Sequence, residues 1–268
     1  MALVKELFTH PVKGLTPQKC DRVFLLCDHG IPGDRAFALM YDVTTDVPDT
    51  AIPWMQKKNF AMQCDLPILA ALNCQYDSNT TIMSIKQGNR ELLSAATNTL
   101  AGRDRLSSFF SAYIAPHRPQ KGSLRLVGDP GGKTRYSDRQ PVHISLVSQA
   151  TLDALSSAAG QEIDARRFRP NVVLEGVPAW EEFNWVGQEL QIGQAKIRIS
   201  APITRCLNID VNPDTGEQDI KLFSLLKQHF GHKETGVVAQ VISSGDVAVE
   251  EIVSEYLLCD RLSERKYC

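Results

Sequence analysis

One cysteine of this chain stands in a sequence context that favours chemistry. Cys206 directly follows Arg205, and the segment closes on the turn signal Pro213-Asp214-Thr215-Gly216. A neighbouring guanidinium favours the thiolate, which is the form of cysteine that binds metals and acts as a nucleophile. From these residues alone two interpretations stay open: a metal-binding or reactive thiolate, and a structural cysteine that packs as a small hydrophobe.

The other cysteines form no recognisable pattern with Cys206. They stand at positions 20, 27, 64, 74, 259 and 268, and no two of the seven have Cys-x-x-Cys spacing. The total is also odd. The sequence therefore argues against a disulfide framework, a zinc ribbon and an iron–sulfur cluster.

Two further segments carry side chains that suit an anion or a heterocycle. Arg169 and Asn171 flank Pro170, and a proline biases the residue before it toward an extended backbone. Arginine offers charge-assisted donors and asparagine both donates and accepts, while the alternative for the arginine is a surface ion pair. Ser148 and Thr151 lie in a predicted strand-to-helix turn. There a helix N-terminus could face an anion, or Ser148 could simply cap the helix.

Composition describes a folded chain with balanced charge. Of 268 residues, 43% are hydrophobic, and 29 Lys and Arg face 31 Asp and Glu, which argues against a basic nucleic-acid binder. The start of the sequence lacks the pattern of a signal peptide, and no apolar run reaches the roughly 20 residues of a membrane helix. We therefore expect a cytoplasmic protein.

The elements that position these residues are predicted to be mostly strands. Short alternating segments with Pro and Gly between them favour antiparallel barrels decorated by a few helices, so the fold class is mainly β with α. Helices are expected at 99–114, 148–159 and 220–230. Strands are expected at 4–8, 22–26, 36–41, 143–147 and 172–174, with a hairpin at 185–199 and two final strands within 236–253. A basic, Gly- and Pro-rich stretch at 117–138 is interpreted as the connection between two halves.

Several motifs, in order along the chain, resemble the MOSC family. Thr204-Arg205-Cys206 followed by Asn212-Pro213-Asp214-Thr215-Gly216-Glu217 is typical of it, as are the segments 167–174 and 185–193. Near the start, the segments 11–15 and 33–37 resemble the β-barrel domain that commonly precedes MOSC. The resemblance implies an N-terminal β-barrel-like domain over residues 1–116 and an antiparallel MOSC barrel over residues 117–268.

The resemblance also implies a cofactor and the residues that hold it. In relatives such as the amidoxime-reducing component, the cysteine at the position of Cys206 coordinates molybdenum of a molybdopterin cofactor, and a soft thiolate suits that metal. Asp138 resembles an acidic residue that could donate a proton, although a loop aspartate is usually only solvated. The expected cofactor contacts are Lys13, Arg35, Ser148, Thr151, Arg169, Asn171 and Arg205.

The activity implied is a molybdenum-dependent oxidoreductase that reduces N-hydroxylated or N-oxygenated small molecules. Nothing in the sequence resembles a ferredoxin domain or a flavin-binding region. Electrons are therefore expected from a separate ferredoxin-like or cytochrome b5-like protein, or from a flavin reductase. One alternative is a cofactor carrier or sulfur-transfer module with a persulfide on Cys206. Another is a binding protein that has kept the fold and lost the metal.

Overall fold

The computed structural model describes residues 1–41, 47–118, 122–129, 131, 134–138 and 144–255. Within these ranges the strands are β1 (Ala2–Thr9), β2 (Gln18–Cys20), β3 (Arg22–Leu25), β4 (Phe37–Tyr41), β5 (Asn73–Asp77), β6 (Ile82–Gln87), β7 (Arg90–Ala96), β8 (Leu124–Gly128), β9 (Ile144–Ser148), β10 (Val172–Glu175), β11 (Glu189–Ile192), β12 (Ala195–Thr204), β13 (Glu234–Ser243), β14 (Gly245–Ala248) and β15 (Ile252–Glu255). The helices are α1 (Leu100–Ile114), α2 (Gln149–Ala159) and α3 (Leu222–Leu225), and α3 continues into a π-helical turn over Leu226–Phe230. None of the helices in these ranges is long and apolar enough to cross a membrane.

Seven strands close into a barrel. Their order is β10-β9-β13-β12-β11-β15-β1, and β1 pairs again with β10. The pair β9–β10 is parallel and every other neighbouring pair is antiparallel, as closure with an odd number of strands requires. Alternate residues along each strand point inward, so Ile197 and Ile199 of β12 pack against Val237 and Ala239 of β13 in one buried core.

The remaining N-terminal strands form smaller sheets around a second core. The pair β4–β8 and the antiparallel sheet β5-β6-β7 pack with α1, and their shared core includes Phe37, Leu39, Leu106, Phe110 and Leu126. The strands β3 and β14 form a separate two-stranded ladder.

The predicted class, mainly β with an antiparallel barrel, is confirmed. Thr99 caps α1 and Ser148 caps α2, which ends at Gly160 with a left-handed φ of 68°. The structure also differs from the prediction. The strand β2 and the three strands β5, β6 and β7 were not predicted. The C-terminal part has three strands after residue 233 instead of two, and β8 lies inside the stretch interpreted as a connection. Pro130, Gly132, Lys133 and the predicted strand residue His143 lie outside the described residues.

Strand pairings cross the predicted boundary between residues 116 and 117. The first strand, β1, lies in the barrel between β15 and β10, and β8 pairs with β4. The division into residues 1–116 and 117–268 stays a prediction. The pairings place β1, from the predicted N-terminal domain, inside the barrel formed by strands of the predicted C-terminal domain.

A buried carboxylate joins the barrel to the N-terminal sheets. The side chain of Asp34 is 0% exposed. Its Oδ1 accepts hydrogen bonds from the backbone N–H of His10 at 2.8 Å and from Nδ2 of Asn171 at 3.2 Å, and its Oδ2 accepts from the guanidinium groups of Arg35 and Arg135. Burial opposes ionisation, but the two guanidinium groups outweigh it and hold the pKa of Asp34 well below its ordinary value.

We expect Asp34→Asn to destabilise the protein by about 3 kcal/mol or more at pH 7, because Arg135 would be left buried without its counter-ion. The measurement is the free energy of unfolding from urea denaturation. The matched control is Asp21→Asn at an exposed turn, which should change stability by less than about 0.5 kcal/mol. Equal stabilities of the two variants would contradict the role of Asp34 as the counter-ion of Arg135.

The same substitution should lose its effect in acid. Because the pKa of Asp34 is lowered in the folded state, its stabilising contribution is complete above the ordinary aspartate pKa of about 4. The contribution is lost as the pH falls through the folded-state value. The difference in unfolding free energy between wild type and Asp34→Asn should therefore narrow below roughly pH 4. If this difference in unfolding free energy stays constant down to pH 3, the ionised carboxylate of Asp34 is not its source.

Candidate functional site

A cavity of about 200 Å³ lies where the barrel meets the N-terminal region. Seven of the nine predicted site residues line it, and they come from distant parts of the sequence: Lys13, Arg35, Asp138, Arg169, Asn171, Arg205 and Cys206. Ser148 and Thr151 are not among its lining residues. The fold therefore brings most of the predicted set into one place.

Cys206 stands at the point where β12 leaves the barrel. The strand ends at Thr204, and Cys206 has an extended backbone before a short 3-10 turn over Leu207–Asp210. The backbone N–H of Arg205 donates to the carbonyl of Lys233 at 2.8 Å, which holds this exit against the start of β13. The thiol is free and half-buried, and it lines the cavity.

Arg205 is fixed to the wall beside Cys206. Its guanidinium donates to the carbonyl of Phe168 at 2.8 Å and through Nε to the carbonyl of Thr235 at 2.9 Å, and it lies 5.3 Å from the centroid of the Phe168 ring. Burial lowers the pKa of Arg205, and the charges of Cys206 and Glu182 oppose that shift. Since most of its donors serve backbone carbonyls, its main role in this structure is to position the cysteine segment.

Three cations surround the other side of the cavity. The Nζ of Lys13 donates to the carbonyl of Tyr136 at 3.0 Å and to the carboxylate of Asp138. Arg35 pairs with Asp34, and Arg169 donates to a backbone carbonyl. Burial lowers the pKa of both Lys13 and Arg169, and the neighbouring positive charges add to that shift.

The lining of the cavity carries an excess of positive charge. Among the described lining residues, Asp138 is the only acidic one, and the cationic ones are Lys13, Arg35, Arg167, Arg169 and Arg205. The side chain of Asp138 is 60% exposed. Partial loss of solvent around the carboxylate acts to raise its pKa, but Lys13, Arg35 and Arg169 together outweigh that effect, so the pKa lies below its ordinary value. Arg169 and Arg205 form no ion pair with a described residue, and an excess of cations of this kind suits an anionic ligand.

Arg169 does not adopt the extended backbone that Pro170 led us to expect. Its φ is 53° and its ψ is 47°, in the left-handed region, at the end of the 3-10 turn Ala165–Phe168. Its carbonyl accepts hydrogen bonds from Arg35 at 3.3 Å and from Ser145 at 3.4 Å. These tertiary contacts outweigh the local preference, and a left-handed non-glycine residue of this kind is common where a site constrains the backbone.

Asn171 is a positioning residue in this structure. Its Oδ1 accepts from the backbone N–H and the hydroxyl of Ser145 at 3.1 and 3.2 Å, and its Nδ2 donates to the carbonyl of Phe8 and to Asp34, both at 3.2 Å. The amide thus uses its full set of donors and acceptors within the protein. The amide therefore has no free donor or acceptor for the cofactor contact that was expected from the sequence.

Ser148 and Thr151 belong to the helix cap. The hydroxyl of Ser148 accepts from the N–H of Thr151 at 3.1 Å, and the hydroxyl of Thr151 donates to the buried carboxylate of Glu182 at 3.0 Å. Both side chains are buried at 0% exposure. Of the two interpretations left open for this turn, the structure supports the cap.

Three residues of the site were missed from the sequence. Asp34 organises the cations, Arg167 is 5% exposed and lines the cavity, and Asn208 lines it two residues after Cys206. All three lie within or beside motifs that were recognised. Nothing in the spacing of these residues distinguishes a side chain that faces the cavity from a solvated one, because all three lie in turns that lack periodicity.

Comparisons with known proteins show similarity over part of the chain. Residues 131–254 match the family model described as the MOSC domain. The mitochondrial amidoxime-reducing component 1 of Mus musculus is 32% identical over 111 residues, which cover 41% of this chain and 32% of that protein. The molybdenum cofactor sulfurase of Drosophila persimilis is 27% identical over 157 residues, which cover 51% of this chain and 20% of that protein. The chain thus spans about a third or less of the length of these relatives.

Solved structures with similar shape include the YuaD protein of Bacillus subtilis. It has a TM-score of 0.44 and 12% identity, with 94% of each chain covered. The YiiM protein of Escherichia coli has a TM-score of 0.34 and 19% identity, with 49% of this chain and 58% of that chain covered.

The charge of the cavity generates a binding prediction. We expect Lys13→Gln to weaken the binding of inorganic pyrophosphate roughly tenfold, because one charge-assisted hydrogen bond to an anion is lost. The measurement is isothermal titration calorimetry. Lys58→Gln, at an exposed lysine that does not line the cavity, is the control and should bind as wild type does. Equal affinities for all three proteins would exclude an anion site at Lys13.

Proposed function

We propose that this MOSC-domain chain binds the molybdenum cofactor and reduces N-hydroxylated or N-oxygenated small molecules. The observation that carries the proposal is one cavity lined by the free thiol of Cys206 and by the cations Lys13, Arg35 and Arg169. Its support among relatives is the similarity to proteins named amidoxime-reducing components.

The donor set of the cavity fits the two ends of this cofactor. The cofactor combines a metal held by dithiolene sulfurs with an anionic phosphate, so it needs a soft ligand at one end and cations at the other. Cys206 would supply the thiolate ligand. Lys13, Arg35 and Arg169 would hold the phosphate or the pterin edge.

The overall reaction balances with two electrons and two protons. A hydroxylamine R–NH–OH is reduced to the amine R–NH₂ as the N–O bond breaks and the oxygen leaves as water. When bound, the molybdenum centre supplies the two-electron chemistry. The protein orients the reactants and supplies a polar, positively charged surface.

Asp138 has a different role in this proposal from the proton donor expected from the sequence. Because its pKa lies below the ordinary value, it is a carboxylate at neutral pH and has no proton to give. It accepts the hydrogen bond of Lys13 and so fixes the ammonium group at the edge of the cavity. Of the two groups, the ammonium of Lys13 is the one that carries a proton, and burial lowers its pKa from the ordinary value.

We also propose that the electrons come from a separate electron-transfer protein. Candidates by chemistry are a ferredoxin-like protein, a cytochrome b5-like protein and a flavin reductase. Each would deliver electrons to the molybdenum that Cys206 would bind just after the end of β12.

A second candidate function is cofactor handling with sulfur on Cys206. The similarity to a molybdenum cofactor sulfurase and the half-buried, free thiol favour it. In this case Cys206 would carry a persulfide instead of ligating the metal. Mass spectrometry of intact protein, with alkylation of the terminal sulfur, distinguishes the two roles.

The test of the main proposal compares wild type with Cys206→Ala, both produced in a host that makes the cofactor. We expect wild type to contain molybdenum and pterin and to reduce an amidoxime with an artificial electron donor. We expect Cys206→Ala to lose that activity and to change the electron paramagnetic resonance signal of the metal, because a thiolate ligand is removed.

Cys27→Ala is the matched control, since Cys27 is a half-buried free cysteine that does not line the cavity. It should retain both the signal and the activity. Identical molybdenum spectra in wild type and Cys206→Ala would overturn the ligand assignment. Wild type with bound cofactor that reduces no hydroxylated-nitrogen substrate would overturn the activity.

A further inference from the structure

Two of the residues that line the cavity each have a buried polar atom with no hydrogen-bond partner among the described residues. They are Nε of Arg167, which is a donor, and Oδ1 of Asn208, which is an acceptor. Both residues line the cavity that contains Cys206. A buried polar atom without a partner costs free energy, so such atoms in a cavity indicate where a ligand or an ordered water binds.

The donor cannot turn away to find another partner. The terminal nitrogens of Arg167 donate to the carbonyl of Asp210 at 3.2 Å and to both carboxylate oxygens of Asp219 at 2.7 and 2.8 Å. These bonds hold the outer part of the guanidinium group and therefore fix the direction of its Nε–H. The side chain is 4% exposed, so it belongs to the interior of the site.

The acceptor is held by the turn that starts at the thiol. Asn208 lies in the 3-10 turn Leu207–Asp210, which Cys206 precedes directly, and Arg167 bonds to Asp210 at the end of the same turn. The pair therefore belongs to the Cys206 end of the cavity. The hydrogen bonds of Lys13 and Arg169 go instead to Tyr136, Asp138 and Leu15.

We propose that Asn208 and Arg167 bind the N–OH group of the substrate, an inference that rests on the proposed function. The substrate hydroxyl donates to Oδ1 of Asn208, and Nε–H of Arg167 donates to a lone pair of the substrate nitrogen or oxygen. An N-hydroxylated compound offers both the donor and the acceptor. The N-oxide of a tertiary amine offers an acceptor alone, so it would leave Asn208 unpaired. The pair thus selects N-hydroxylated compounds over N-oxides.

The test uses the full chain with its cofactor and the variants Asn208→Leu and Asn208→Asp. Leucine has a similar volume and removes the acceptor, whereas aspartate retains an acceptor at the same position. With an aryl amidoxime as substrate, we expect Asn208→Leu to raise KM and the dissociation constant roughly tenfold, with kcat little changed. Asn208→Asp should stay close to wild type. For a tertiary amine N-oxide, the KM of all three proteins should be equal.

Two further measurements distinguish the alternatives. Molybdenum and released pterin are measured in each variant, and equal contents are expected. Loss of pterin from Asn208→Leu would overturn the proposal, because the pair would then hold the cofactor. An equal rise in KM for the amidoxime and the N-oxide would also overturn it, as would wild-type affinity in Asn208→Leu, which would mean that the two atoms bind water only.

Amidoxime binding by isothermal titration calorimetry separates this inference from the proposed function. If wild type binds the amidoxime without reducing it and Asn208→Leu binds about tenfold more weakly, the proposed function fails and the binding subsite stands. If loaded wild type reduces an amidoxime and Asn208→Leu is unchanged, the function stands and the subsite fails. If wild type does not bind any amidoxime, the subsite is overturned.

Discussion

The carboxylate of Asp34 is removed from water and accepts hydrogen bonds from four parts of the chain that are far apart in sequence. A buried anion is tolerated only when donors and counter-ions surround it, so its presence constrains every group that faces it. The end of β1, the start of β10 and the segment after β8 must all meet at one point. Through Arg35 and Asn171 the same constraint reaches the wall of the cavity.

This arrangement explains how a positively charged cavity can exist at all. Asp34 balances the charges of Arg35 and Arg135, and Asp138 balances the charge of Lys13 at the edge of the cavity. The inner surface is left with more positive than negative charge, although the fold as a whole is balanced at 29 basic and 31 acidic residues. Rigid carbonyls of Phe168 and Thr235 hold Arg205 in place beside the thiol, so the site is preorganised before any ligand binds.

The sequence predicted the elements with strong local signals. The helices that begin near Thr99 and Ser148 and the hairpin within residues 185–199 were identified from residue type and periodicity. The sequence could not predict the left-handed backbone of Arg169 or the strand β8, because both depend on partners more than 80 residues away in sequence. The motifs that resemble the MOSC family identified most of the residues that line the cavity. Only the hydrogen bonds in the structure distinguish residues that face a ligand from positioning residues such as Asn171.

The position of β1 in the barrel has a consequence for how the protein folds. The first strand of the chain pairs with β15, the last described strand, so closure of the ring joins residues about 250 positions apart. Such a barrel has a high contact order and cannot close while the ribosome is still adding the C-terminal strand. Until β15 has been synthesised, β1 and β11 lack the strand that joins them, so their unpaired edges are open to pairing with other chains.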